Sequence, residues 1–99
     1  MTYAVISNWT STVSIQSTEG DPMRAMARDR FAPGVIALGA LNVYFIAITD
    51  TSFHVVTIYP DEATAVAATE RQNAIRGDAA AALPVRMVSD VRGNVFASQ

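Results

Sequence analysis

The chain has 99 residues, of which 51% are hydrophobic and 16% charged, with a formal net charge of −2. That length supports one domain, residues 1–99, with a single core. The charge offers no basic field for nucleic acid or an acidic membrane surface. With no cysteine, disulfides and thiolate chemistry are excluded, and no apolar run reaches the roughly 20 residues of a membrane-crossing helix.

Tyr3–Thr10 predicts a first strand, with Ala4, Ile6 and Asn8 on one side and Tyr3, Val5, Ser7 and Trp9 on the other. Its N-terminal residues carry no basic region and no long apolar core, so no signal peptide is expected and a cytoplasmic location is the default. Ser11–Gly20 is rich in Ser and Thr and predicts a loop. Asp21-Pro22 then reads as a helix start, because Asp can accept free backbone N–H groups and Pro at the first position forfeits no hydrogen bond. Met23, Met26, Ala27 and Phe31 recur on one helical stripe. Pro33 is expected to kink or break this helix, with a further turn over Val35–Leu38 stopped by Gly39.

Leu41–Ile48 and Phe53–Tyr59 are β-rich runs flanking Thr49-Asp-Thr-Ser52, the pattern of a hairpin. Pairing Ile48 with Phe53 puts Leu41, Val43, Phe45, Ala47, His54, Val56 and Ile58 on one face. Asn42, Tyr44, Ile46, Ile48, Phe53, Val55, Thr57 and Tyr59 fall on the other. Both faces are largely apolar and need cover. A chain this short has helices for one face only, so a second copy is expected over the other. A one-residue slip in register would exchange the faces and move His54 from the helices to the interface.

Pro60-Asp61-Glu62 opens a second helix with Asp61 as its cap. Gly77 is expected to end it, with one more turn over Ala79–Leu83. Val85–Val91 predicts a strand, Arg92-Gly93-Asn94 a turn and Val95–Ala97 a short return strand. Strand, helix, strand, strand, helix, strand is the ferredoxin-like βαββαβ order, an α+β fold with both helices on one face of an antiparallel sheet.

The opening strand Tyr3–Trp9, the first helix with its Pro33 and the Ala37-Leu38-Gly39 stop resemble the antibiotic biosynthesis monooxygenase-like proteins of the dimeric α/β-barrel superfamily. So does Val55–Ala63, running from strand three into an Ala-rich helix. The resemblance spans nearly the whole chain and carries no sharp catalytic motif. It implies a homodimer joined sheet to sheet, forming a dimeric α/β barrel, with a pocket between each sheet and its helices. It further implies a cofactor-independent monooxygenase acting on apolar aromatic substrates. The competing expectation is a non-catalytic ligand-binding or structural dimer of the same fold.

Under the resemblance, Asn8 would donate a hydrogen bond to a substrate oxygen or to dioxygen. His54, the only histidine, shares a predicted face with Ala47 and Val56 and is expected to look into the pocket, where it could accept a proton. Trp9, Phe45, Met26 and Tyr59 are candidates to line the pocket. Plainer roles stand beside these: a strand-end amide for Asn8, a hydrogen-bonded strand residue for His54, core packing for Trp9 and Met26, an interface for Tyr44 and Tyr59. Haem-degrading relatives carry a Trp at the end of strand three and a His on the second helix. This chain has Tyr59 at the first place and Gln72 and Asn73 at the second, so haem is not expected. One histidine without carboxylates at ligand spacing does not make a metal site. Arg24 and Arg28, one turn apart, either bind an anionic substrate or form a solvated helix face.

Overall fold

A computed structural model describes the whole chain, Met1–Gln99. In order it contains β1 (Tyr3–Ser11), α1 (Asp21–Met26), α2 (Ala32–Ile36), β2 (Asn42–Thr49), β3 (Ser52–Tyr59), α3 (Glu62–Ala82) and β4 (Val85–Asn94). The strands form one antiparallel sheet in the order β2-β3-β1-β4, and the helices cover one face. This α+β arrangement is compatible with the ferredoxin-like order expected from the sequence. No helix is long and apolar enough to cross a membrane.

β1 behaves as its alternation predicts. Tyr3, Val5, Ser7, Trp9 and Ser11 are buried against the helices, while Ala4, Ile6, Asn8 and Thr10 look the other way and are half-buried. The loop after it is tied to the hairpin tip. Ile15 N–H donates to the Asp50 carbonyl at 2.8 Å, and the Ser14 hydroxyl bonds the Asp50 carboxylate at 2.6 Å.

The first helical segment differs from expectation at both ends. Its cap is Gly20, with no side-chain bond, and Asp21 instead pairs with Arg24. Gly20 is buried so tightly that a Cβ would collide with the carbonyl oxygens of Ser14 and Ile15, which leaves no room for a capping side chain. Pro33 does not break the segment. Ala27–Phe31 is a π-helical turn in which Ala32 N–H donates to the carbonyl of Ala27, five residues back. The widened turn removes the proline ring from the carbonyl four residues back, with which it would clash in a plain α-helix. The chain therefore stays helical to Ile36. Gly39, at φ 104°, then takes the left-handed turn into β2.

The hairpin holds the main correction. β2 pairs with β3 through Ala47↔Phe53 and Thr49↔Ser52, with a bulge at Ile48. No non-glycine residue has positive φ, so the Asp50-Thr51 loop is not one of the primed turns that match strand twist. The extra residue at Ile48 absorbs the mismatch. The register expected from pairing Ile48 with Phe53 is thereby shifted by one. Val43, Phe45 and Ala47 now share the helix-side face with Phe53, Val55, Thr57 and Tyr59. His54, Val56 and Ile58 join Tyr44 and Ile46 outside.

α3 begins as predicted: the Asp61 carboxylate accepts from the Thr64 hydroxyl at 2.6 Å and from Thr64 N–H at 2.7 Å, which together hold its carboxyl below the usual range. It does not stop at Gly77. That glycine faces open space and needs no left-handed conformation, so the helix runs on to Ala82 before Pro84. β4 likewise continues through the expected Arg92–Asn94 turn as one strand, and there is no return strand.

The core splits into two clusters along the sheet. One gathers Tyr3, Val5, Val35, Tyr59, Ala65 and Ala68. The other gathers Trp9, Ile15, Met23, Phe53 and Val85.

Candidate ligand cavity

Every member of the second cluster lines a cavity of about 570 Å³ between the sheet and the first helical segment. Pockets for small molecules commonly measure ~300–1,000 Å³. Its origin lies in small side chains. Ala27 from the π-turn, Ala32 from α2, Ala47 from β2 and Ala79 from α3 all reach the same space without filling it.

Trp9 and Phe53, partners across β1 and β3, stack with ring centroids 5.9 Å apart and planes 11° from parallel. The indole N–H donates to the Ser7 hydroxyl at 2.7 Å, which fixes the ring and satisfies its one donor. Phe31 is aimed in from the π-turn, and Phe45, 38% exposed on the edge strand, stands where the cavity opens. Apart from Gln16, Arg24 and Arg28, every lining residue is apolar.

Of the six candidate residues, Trp9 and Phe45 line this cavity. Met26 is half-buried and does not; its stripe neighbour Met23 does. Tyr59, fully buried, lies in the other core cluster. Its hydroxyl donates to Gln72 Oε1 at 3.1 Å, and Gln72 Nε2 donates to the Thr57 hydroxyl at 3.4 Å. Burial pushes the Tyr59 phenol above its usual pKa, against the opposing pull of Arg76 and Arg92.

Asn8 and His54 are brought together, as direct partners across β1 and β3, but on the sheet face turned away from the helices. Neither lines the cavity. His54 was expected beside Phe45; the Ile48 bulge puts it opposite Ile46 instead. No group of His, Asp and Glu is placed to hold a metal ion.

Met23, Phe31 and Phe53 are site residues that the sequence showed only as core or strand positions. Phe53 would have been found by the correct register. A second polar group lies between α3 and β4, where Arg76 bonds Asp90 at 3.1 Å and Arg92 lies 3.6 Å from the same carboxylate.

Compared with known protein families and with curated proteins, the chain shows no match.

Proposed function

We propose that this protein binds an apolar, ring-sized molecule in the cavity over the Trp9–Phe53 stack, and does so as a homodimer joined through its outer sheet face. The carrying observation is a ligand-sized space floored by two stacked aromatic rings and lined by 14 hydrophobic residues of 17. No histidine, carboxylate or hydroxyl side chain lines that space. A phenol oxygenase of the kind the sequence resembles would have to work there without Asn8 and His54; ligand binding needs neither.

The dimer reading rests on the outer face. Ile6, Val56, Ile58, Tyr44 and Ile46 form an apolar surface across three strands, and Tyr44 is 52% exposed. No carboxylate or arginine interrupts it on β1, β2 or β3. On these three strands a copy of itself therefore fits without like-charge repulsion. A dimeric α/β barrel is the form such a pairing would take.

Isothermal titration calorimetry with 2-naphthamide, a neutral two-ring probe, tests the binding reading. Wild type should bind it. Ala79→Leu, which extends a side chain into the cavity from α3, should abolish binding with no loss of thermal stability. Unchanged affinity in a folded Ala79→Leu protein would place the ligand elsewhere and end the proposal.

A further inference from the structure

The geometry points to a ligand that carries a carboxylate at one end of its apolar body, read by Arg24 and Arg28. This rests on the cavity being a binding site and specifies what fills it. The polar lining is confined to one wall. Gln16, Arg24 and Arg28 come from the loop after β1, from α1 and from the π-turn, while the walls from the sheet and α3 are wholly apolar. Two arginines border the space and no aspartate or glutamate does. A bound molecule would thus meet aromatic and aliphatic surface over most of its body and cationic donors along one edge.

The fold positions the Arg24 guanidinium, and both arginines keep donors free. Arg24 Nη1 donates to the carbonyl oxygens of Ile15 and Ser17, and Nη2 pairs with Asp21. That anchoring leaves Nε and one Nη2 hydrogen unused, from the five N–H donors an arginine has. Arg28 gives Nε and Nη2 to Asp29 at 2.7 and 2.8 Å, leaving Nη1 unused. Neither aspartate lines the cavity. The Arg28–Asp29 pair is also solvent-exposed, with 74% of the arginine side chain accessible. Pairs of that kind hold weakly, so the arginine can turn to a buried acid at little cost.

Because Arg24 stays paired with Asp21 while Arg28 can release its exposed partner Asp29, one positive charge is left for a ligand, which suits a monoanion rather than a polyphosphate. A carboxylate matches the planar guanidinium fork. An aromatic or alicyclic monocarboxylic acid is the class that combines these requirements.

The test compares 2-naphthoate with its neutral isostere 2-naphthamide by calorimetry at pH 7. Naphthoate should bind about tenfold tighter, as expected for charge-assisted bonds at a half-exposed edge. Arg28→Gln, away from the anchors of the loop, should remove most of that preference, read as the ratio of the two affinities within the one variant. Equal affinities in wild type would overturn the carboxylate assignment while the apolar cavity stood. A naphthoate preference untouched by Arg28→Gln and by added salt would also overturn it, because the acid would not be read at this edge. Absence of binding by both probes would overturn the cavity reading and this one with it.

Discussion

The most demanding prediction concerns Tyr59, because the structure moves it from a candidate ligand contact to a buried polar tie. Tyr59 and Thr57 are 0% exposed and Gln72 is 4% exposed, so none of the three can turn to water. Tyr59→Phe removes the hydroxyl that donates to Gln72 Oε1 and keeps the ring. The acceptor is then buried without its donor, which costs about 1–3 kcal/mol. Gln72→Leu should cost a similar amount, since it strands the Tyr59 hydroxyl and the Thr57 hydroxyl together. The double variant has neither end of the Tyr59–Gln72 bond. Its loss should fall short of the sum by about 1 kcal/mol or more, within the range of contacting pairs. In a domain of this size the single variants should melt about 4–8 °C lower for each kcal/mol lost.

Urea unfolding of the four proteins measures the cycle. Additive losses, within about 0.5 kcal/mol, would refute the claim that the two side chains act as a pair. Alkaline pH gives an independent check. The phenol's pKa is raised in the folded state by burial, so folded Tyr59 keeps its proton after the unfolded chain has lost it. Its contribution is therefore complete below the ordinary value of about 10 and is lost as pH rises through the folded pKa. Wild type should lose melting temperature over that alkaline span more steeply than Tyr59→Phe. Because Tyr59 is outside the cavity, Tyr59→Phe should bind 2-naphthamide as wild type does.

Gly20→Ala should destabilise by about 1–3 kcal/mol in urea, since its methyl would meet the backbone carbonyls of Ser14 and Ile15, which cannot swing aside like a side chain. Asp61→Ala should lower the melting temperature by removing the α3 cap, and Asp61→Asn should recover part of it. The Asp61 carboxyl is held below its ordinary pKa, chiefly by the Thr64 hydroxyl and N–H. Its stabilisation is thus present above about pH 3.9 and is lost as pH falls through the folded value, so the difference between wild type and Asp61→Ala should shrink in strong acid. Ile46→Lys, on the exposed outer face, should convert a sedimenting dimer to monomer at micromolar concentration without unfolding it; a wild-type chain that is already monomeric would remove the dimer from the proposal.

Alternation inside a strand is a local property, and it was readable. Tyr3, Val5, Ser7 and Trp9 lie on one face as their spacing requires. So was the Asp61 cap, which needs only the four residues Asp61–Thr64. Register between strands is not local. Whether Phe45 shares a face with His54 or with Val55 turns on one bulged residue, Ile48, and the bulge follows from a loop whose backbone does not match the twist of its strands. Nothing in the apolar pattern of Leu41–Tyr59 distinguishes the two pairings, because both faces are apolar. Pro33 misled for a related reason. The rule that proline breaks a helix assumes α-helical register, and the π-turn at Ala27–Phe31 changes that register before the proline is reached.

The cavity was the least readable feature because it is made by what is missing. Ala27, Ala32, Ala47 and Ala79 are ordinary residues in their own elements, and each reads locally as a good helix former or a small strand residue. Their convergence depends on the bulge that turns Ala47 inward and on the π-turn that brings Ala27 and Ala32 to one side. The same two irregularities bring Phe45 and Phe31 to the lining and leave His54 outside it. The departures from regular geometry and the candidate site are therefore coupled. Deleting Ile48 should regularise the hairpin while leaving Ala47 opposite Phe53 and Phe45 opposite Val55, so the deletion variant should still bind 2-naphthamide; a folded variant that had lost binding would refute the register.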